Sequence, residues 1–202
     1  MDFADVLRKR RMVRRYADQA VPPSSIDRIV NAGRRGPSAG NSQGTRFVVV
    51  TDEALRSGVA RRASEERWVS SGKAPWLSSA PAHIVLWVDP NAYRERYASE
   101  DKAASSAQDD DGNWPVPWWW VDAGASLMAM LLAAVDEGLS AGFLGAHAFQ
   151  GLDRLLGVPD SFELVGVVTI GHAHPEDEPT GSALRQAPPV ADIVHYERWN
   201  AS

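Results

Sequence analysis

The 202-residue sequence predicts one domain of mixed α and β structure. Three short runs rich in β-branched residues, at 47–51, 81–89 and 163–171, are typical of buried strands. Longer segments with helical spacing of apolar residues alternate with them, and the clearest covers residues 121–137. The hydrophobic share of 44% and the charged share of 23% are those of a globular protein. A chain of this length buries roughly 70% of its unfolded surface, which is enough for a substantial core.

A short helix is predicted to open the chain. Phe3, Val6 and Leu7 stand at helical spacing behind Asp2, a residue type that favours the N-cap position. The next apolar periodicity belongs to a second helix within residues 22–36.

The second helix carries a start signal and a stop signal. Ser24 and Asp27 form a capping-box pattern, and Gly36 with Pro37 is typical of a helix end. After the first predicted strand, residues 52–68 predict a polar, Arg-rich helix.

The segment at 121–137 is apolar around nearly the whole helical circumference, and Gly138 follows it. Such a helix must be buried, either in its own core or against a partner chain. Its least polar part, residues 123–135, is too short to span a membrane, which takes about 20 apolar residues. With no apolar leader at the N-terminus, the sequence predicts a soluble, cytoplasmic protein.

Two polar segments complete the chain. Residues 97–113 are acidic and poor in apolar residues, and they predict a mobile surface loop. The Pro-rich C-terminal tail, with a candidate extended piece at 193–195, lacks the apolar pattern of a segment that packs on its own core. It could lie across a second subunit.

The chain contains no cysteine. Disulfides, thiolate nucleophiles and Cys-based metal sites are therefore excluded, and any redox chemistry needs a bound cofactor. His172 and His174 stand two residues apart after a predicted strand, but without further ligand types nearby they do not predict a metal site.

Six of the eight residues from Arg8 to Arg15 are basic, although the net charge of the chain is −5. A solvated helix face, a nucleic-acid-binding arm and a small-anion site are the three interpretations. The acidic remainder of the chain would repel a polyanion, which favours a small anion. Arg10, Arg11 and Arg14 could converge on a phosphate monoester through paired hydrogen bonds.

The stretch "GPSAGNSQG" at 36–44 is either a flexible loop after a helix or a surface for a flat ring. Its small residues allow the backbone to approach a ring closely, and Asn41 and Gln43 add side-chain amides. No Gly-Lys-Ser/Thr follows and no strand precedes it, so the ATP and NAD phosphate-loop motifs are not matched.

Several motifs together resemble the nitroreductase family. They are "RRMVRRY", "GPSAGNSQG", "FVVVTD", "DAGASLMAMLLAAVDEGLSAGFLGA", "LLGVPDSFELVGVVTIGH" and "HYERW". The resemblance covers nearly the whole chain apart from residues 97–113. It implies an α+β fold over residues 1–202 as a single domain. In this fold a central, mostly antiparallel sheet is flanked by helices, and the C-terminal tail extends onto the partner subunit.

The resemblance also implies an FMN site shared between the two subunits of a homodimer. Arg10, Arg11 and Arg14 would hold the phosphate and ribityl chain, with Met12 contributing backbone, and Arg185 would reach the phosphate. Two further groups are implied. One group would lie along the isoalloxazine: Pro37, Ser38, Ala39, Asn41 and Gln43. The other would bring a backbone amide near the flavin N5: Phe143, Leu144 and Gly145.

The implied activity moves electrons from NAD(P)H to nitroaromatic or quinone-like acceptors in a ping-pong order. The flavin carries the chemistry, so no catalytic side chain, metal, nucleic acid or membrane is expected. One alternative is a different flavin reaction on the same fold, such as desaturation, dehalogenation or flavin modification. The other is a nucleic-acid-binding protein that uses the basic arm.

Three positions complicate the resemblance. Met12 stands where the family often has Ser, and Gly44-Thr45 stands where it often has Pro-Trp, so substrate shape cannot be carried over. In "PVPWWW", at least two of Trp118, Trp119 and Trp120 are expected to be core anchors. One of the three is a candidate for the mouth of the flavin pocket, where it would stack on an aromatic substrate.

Overall fold

The computed structural model describes residues 1–102, 105, 107–108, 113–179 and 181–199. Their strands are β1 (Thr45–Val50), β2 (Ala82–Val88), β3 (Ser140–Gly145) and β4 (Glu163–Gly171). Their helices are α1 (Phe3–Lys9), α2 (Pro23–Arg34), α3 (Glu53–Arg62), α4 (Glu65–Ser70), α5 (Pro90–Tyr97), α6 (Trp118–Asp136), α7 (Leu152–Leu156) and α8 (Val190–Ile193). Residues 103–104, 106 and 109–112 of the predicted acidic loop lie outside the described residues.

The four strands form one sheet in the order β1-β2-β4-β3, and all three pairings are antiparallel. The central strands β2 and β4 match the predictions at 81–89 and 163–171. β2 is buried at every residue, because it has a strand on each side and helices over the sheet. The predicted α+β class with an antiparallel sheet is confirmed.

The prediction of a buried strand at 47–51 is wrong in one respect. β1 is an edge strand that pairs only with β2 in the described structure, and Val49 is 44% exposed. A β-branched run predicts a strand but does not distinguish a central strand from an edge strand. β3, "SAGFLG", was not predicted, because its alanine and two glycines carry little strand signal.

The apolar helix predicted at 121–137 is α6, and it lies at the centre of the fold. Ala123, Met130 and Ala134 are fully buried between α2 and the sheet. Gly33 of α2 lets the helices approach closely, because a Cβ there would come within 2.7 Å of the Met130 Cγ. By length and composition alone α6 could also cross a membrane. In this fold it is a core helix that leaves Val121 and Met128 exposed.

The helix predictions before β2 are partly confirmed. Asp2 caps α1 by accepting a hydrogen bond from the Ala4 N–H at 2.9 Å. The capping box predicted for α2 is wrong, since Pro22 is the N-cap and no side chain caps the helix. A proline at the first helical position lacks the N–H that a cap would satisfy. The single helix predicted at 52–68 is divided into α3 and α4 at Ser64, whose φ is 53°.

The C-terminal tail has no strand among its described residues. The candidate extended piece at 193–195 is wrong for Ile193, which ends the one-turn helix α8. Large apolar side chains of the tail, Leu184, Val190, Tyr196 and Trp199, are exposed. Trp199 stacks on His195 of the same tail at a ring-centre distance of 4.1 Å.

His83 lies at the centre of the sheet and is fully buried. Its Nε2 lies 2.8 Å from the Leu77 carbonyl oxygen, and its Nδ1 has no partner among the described residues. Burial lowers the pKa of His83 from 6.5 to about 4. The imidazole is therefore neutral in the folded protein at neutral pH and donates from Nε2.

We expect acid to destabilise the fold through His83. Between pH 6.5 and about 4 the unfolded chain binds this proton and the folded chain does not, so the free energy of unfolding falls as the pH falls. The loss across the window is roughly 3 kcal/mol. Urea unfolding of wild type and His83→Gln at pH 7, 6 and 5 measures it. Equal slopes for the two proteins would contradict the assignment.

Candidate functional site

The arginine segment lies along the β3 edge of the sheet. Met12 forms a parallel bridge with Ala141, and the Val13 N–H donates to the Ala141 oxygen at 3.0 Å. Gly142 makes this approach possible, because a Cβ there would collide with the Val13 carbonyl oxygen. The segment therefore extends the sheet beyond β3 by a short stretch of backbone.

Asp177 holds the segment from the start of the C-terminal tail. Its Oδ1 accepts the N–H groups of Arg14 at 3.0 Å and Arg15 at 2.8 Å. Its Oδ2 pairs with Arg11, which also donates to the Asp177 carbonyl oxygen at 3.1 Å. The Asp177 side chain is only 5% exposed. The charge of Arg11 is thus compensated within the fold.

Arg10 and Arg14 differ from Arg11. Both are half-buried, and neither forms an ion pair with any residue that the structure describes. The Arg14 guanidinium carbon lies 5.2 Å from the centre of the Trp76 ring. Trp76 is fixed in turn by its indole N–H, which donates to the Thr169 Oγ1 at 3.1 Å. Two arginines at this edge therefore have no carboxylate partner among the described residues, and Trp76 restricts the Arg14 guanidinium.

The predicted ring-binding loop precedes β1 and has an unusual backbone. Gly40, Asn41 and Gln43 have φ values of 60°, 57° and 51°. This left-handed conformation is uncommon for residues other than glycine, and such strain is concentrated at functional sites. The Ser38 hydroxyl accepts the Gln43 N–H at 2.8 Å, and the Gln43 amide donates to the Asn41 Oδ1 at 2.9 Å. The loop is an ordered turn, and both amide side chains are exposed.

The two halves of the predicted site lie at opposite edges of the sheet. The arginine segment and the Phe143–Leu144–Gly145 stretch belong to the β3 edge, whereas the loop leads into β1. Three strand spacings of about 4.8 Å separate the edges by about 14 Å. Arg185 is exposed in the tail and has no ion pair with a described residue. Among the described residues, no hydrogen bond or ion pair joins the loop to Arg10, Arg11 or Arg14.

Two cavities flank the loop. One of about 440 Å³ is lined by Ser38, Asn41 and Gln43 together with Arg46 and Phe47. The other, of about 410 Å³, is lined by Ala39, Tyr97 and Trp118, among others. A larger cavity of about 920 Å³ beside Tyr16 and Arg56 includes none of the predicted site residues.

The tryptophan prediction needs correction. Trp119 is 7% exposed, whereas Trp118 and Trp120 are 37% and 39% exposed, so one of the three is a core anchor and not two. Successive residues of α6 point about 100° apart, so three in a row cannot all face the core. Trp118 faces the cavity beside the loop, and Trp120 lines a separate cavity with Trp87 and Phe149.

The histidines after β4 serve the backbone. The His174 Nδ1 accepts the Glu176 N–H at 3.1 Å. Within the described ranges, no three His, Asp or Glu side chains come together in a way that could hold a metal ion.

Comparison with known proteins decides the family. The model of the nitroreductase family matches residues 7–172. The chain belongs to this family. A protein of Archaeoglobus fulgidus named NADH dehydrogenase/NAD(P)H nitroreductase is 28% identical over 194 residues, which cover 94% of each chain. The FMN reductase (NAD(P)H) of Bacillus subtilis is 30% identical over 192 residues, covering 94% of this chain and 71% of its own.

The solved structures agree on the fold. A nitroreductase of Desulfovibrio desulfuricans, solved in complex with FMN, matches 99% of each chain with a TM-score of 0.68 at 24% identity. The resemblance inferred from the sequence motifs is thus confirmed. The chain is an oxidoreductase of the nitroreductase family.

Sequence reasoning missed two carboxylates of this nitroreductase-family site. No local pattern distinguishes Asp177 within the Pro-rich tail. Asp122 of α6 accepts hydrogen bonds from the Ala39 N–H at 2.8 Å and the Tyr93 hydroxyl at 2.6 Å. An acidic residue within a helix that is otherwise apolar all round was the available signal, because a buried charge needs partners.

The departure at Gly44 has a structural reason. A Cβ at this position would collide with the Tyr93 ring and come within 2.9 Å of the Asp89 carbonyl oxygen. The end of the loop is thus packed directly against α5.

We expect Asp177→Ala to release the arginine segment. Three charge-assisted hydrogen bonds disappear, so the free energy of unfolding falls by about 1–3 kcal/mol and the Arg14 and Arg15 amides exchange faster with deuterium. Asp177→Asn keeps one acceptor and gives an intermediate result. Asp160→Ala, which removes an exposed carboxylate, is the control. Unchanged amide exchange at Arg14 and Arg15 in Asp177→Ala would show that Asp177 does not hold the arginine segment.

Proposed function

We propose that the protein is an FMN-dependent oxidoreductase that moves electrons from NAD(P)H to nitroaromatic or quinone-like acceptors. The observation that carries the proposal is the pair of half-buried guanidinium groups, Arg10 and Arg14, that have no carboxylate partner at the β3 edge. They complement a dianionic phosphate monoester, which is the charged group of FMN. The relatives whose names or structures include FMN support the same cofactor.

The donor set fits the phosphate and ribityl part of FMN. Arg10 and Arg14 offer forked N–H donors, and the Trp76 ring restricts the Arg14 guanidinium. Arg11 contributes through its pairing with Asp177, which fixes the backbone between the other two arginines. Met12 follows the backbone of β3, so its peptide groups, not its side chain, suit the sugar chain.

The loop fits the flavin ring. Its small residues and left-handed turns present backbone and the exposed amides of Asn41 and Gln43 toward solvent. Pro37, Ser38 and Ala39 complete the surface along which an isoalloxazine would lie. On the arginine side, Phe143, Leu144 and Gly145 are half-buried at the end of β3, where a peptide N–H can serve the N5 region.

We infer that the working unit is a homodimer with shared sites. The loop and the arginines of one chain lie at opposite sheet edges, so two chains related by a two-fold axis supply one half each. Phe3 and Leu7 of α1 and Val121 and Met128 of α6 form exposed apolar surface suited to a partner. The exposed tail would cross to that partner and bring Arg185 to a phosphate.

The chain's own residues would bind the cofactor, orient it and shield it from water. When bound, FMN would supply the hydride and electron transfer, and NAD(P)H and the acceptor would then react in turn in a ping-pong order. Trp118, beside the loop, is positioned to stack on an aromatic acceptor. No side chain has to act as nucleophile. We place the protein in the cytoplasm, where NAD(P)H is available.

The spectrum of the purified protein tests this function first. We expect flavin bands near about 450 nm that bleach when NADH or NADPH is added without oxygen. Bands that persist with both donors would instead favour one of the other flavin reactions on this fold. A colourless protein that binds neither FMN nor riboflavin but binds DNA in a salt-dependent way would overturn the proposal.

We expect Arg10→Ala to weaken FMN binding about tenfold or more and to leave riboflavin binding unchanged, because only FMN carries the phosphate. Fluorescence titration of the apoprotein with each flavin measures both dissociation constants. Arg154→Ala, at an exposed arginine of α7, is the matched control. Equal losses for the two flavins would show that Arg10 does not bind the phosphate.

Mixed dimers test the sharing of sites. We expect Arg10→Glu and Asn41→Trp homodimers each to lose FMN, the first by charge repulsion and the second by blocking the ring. Half of randomly assembled dimers are mixed, and each has one intact site, so co-expression restores about a quarter of the wild-type sites. Sites built within single chains would show no restoration.

A further inference from the structure

Asp122 is a buried carboxylate beneath the ring-binding loop. It is 5% exposed, and in the part of the chain that the structure describes no lysine or arginine pairs with it. Burying a charge is costly unless hydrogen bonds replace its water. Oδ2 receives two: from the Ala39 N–H at 2.8 Å and from the Tyr93 hydroxyl at 2.6 Å.

These two hydrogen bonds join three separate parts of the chain. Asp122 belongs to α6, Tyr93 to α5 and Ala39 to the loop. Tyr93 is fully buried, and burial together with the hydrogen bond to Asp122 raises the pKa of its hydroxyl, so Tyr93 is the donor. The close approach of Gly44 fixes the Tyr93 ring from the other side.

The loop needs such support because its backbone is strained. Left-handed φ values at Asn41 and Gln43 persist only where surrounding contacts impose them. Two part-buried contacts help: Arg96 donates to the Gly40 carbonyl oxygen at 2.7 Å, and Tyr97 packs over Gly40. Asp122 differs from both because its carboxylate is buried and is held by a buried hydrogen bond from Tyr93, where the low dielectric strengthens the interaction.

We propose that Asp122 and Tyr93 are positioning residues that preset the loop for the flavin ring. They touch no flavin themselves, and they act through the Ala39 peptide at the start of the left-handed turns. A loop that is already in its binding conformation adds no ordering cost when a ring docks, whereas a loop populated only in part weakens binding by that fraction. This inference rests on the proposed FMN function.

We expect these variants to lose flavin affinity to the same extent whether or not the flavin carries a phosphate. In Asp122→Ala, both the FMN and the riboflavin dissociation constants rise by the same factor, about tenfold, so their ratio stays at the wild-type value. Arg10→Ala changes that ratio, and the two variants therefore separate the ring half of the site from the phosphate half. In Tyr93→Phe, which keeps the carboxylate and the ring packing, both constants rise about threefold.

A control separates positioning from general stability. Asp52 caps α3 by accepting the Leu55 N–H at 2.9 Å, and it does not touch the loop. Asp52→Ala lowers the melting temperature without changing either dissociation constant. Thermal unfolding of all variants is recorded beside the titrations. Tyr93→Phe carries the test alone if Asp122→Ala does not fold.

The outcomes are distinct. Wild-type affinity for both flavins in folded Asp122→Ala and Tyr93→Phe would overturn the inference while leaving the proposed function intact. A loss confined to FMN would also overturn it, since Asp122 would then act on the phosphate. If the wild-type protein binds neither flavin, the proposed function itself fails.

Discussion

The width of the antiparallel sheet is the constraint on which the site depends. A chain can place functional residues at either edge of a sheet, but the strands between them keep the two edges apart. In this chain the cationic segment is bound to β3 and the small-residue loop is bound to β1, with β2 and β4 fixed between them. The pairing registers that stabilise the core therefore also fix the loop and the arginine segment at opposite edges of the sheet.

Buried or nearly buried carboxylates recur wherever irregular backbone has to be held. Asp122 holds the loop and Asp177 holds the arginine segment. Glu65 accepts the N–H groups of Trp76, Leu77 and Ser78, and so fixes the turn that carries the tryptophan under Arg14. Each carboxylate accepts hydrogen bonds from peptide N–H groups that have no partner in a strand or helix. Three of the 26 acidic residues thus hold irregular backbone in place.

Sequence patterns predicted the elements whose signal is local and missed those that depend on distant residues. The apolar run of α6, the β-branched runs of β2 and β4 and the cap at Asp2 are local patterns, and the structure confirms them. β3 could not be predicted, because "SAGFLG" becomes a strand only through its pairing with β4. The edge position of β1 and the division at Ser64 likewise depend on neighbours distant in sequence.

The same limit applies to the site. Motif order pointed to the arginines and the loop, but it did not distinguish Arg11 from Arg10 and Arg14. That difference comes from Asp177, which lies more than 160 residues away along the chain. A charge within an apolar helix is the only sequence signal for Asp122, and its partners Ala39 and Tyr93 follow only from the packing of α5 and α6.

The exposed edge of β1 has a consequence for aggregation. A strand with one unpaired side offers a row of backbone donors and acceptors that can template another strand. Val49 and its β-branched neighbours favour such pairing, and no described residue of the chain pairs with this side of β1. An edge of this kind is therefore a site of edge-to-edge aggregation for any chain that leaves it uncovered.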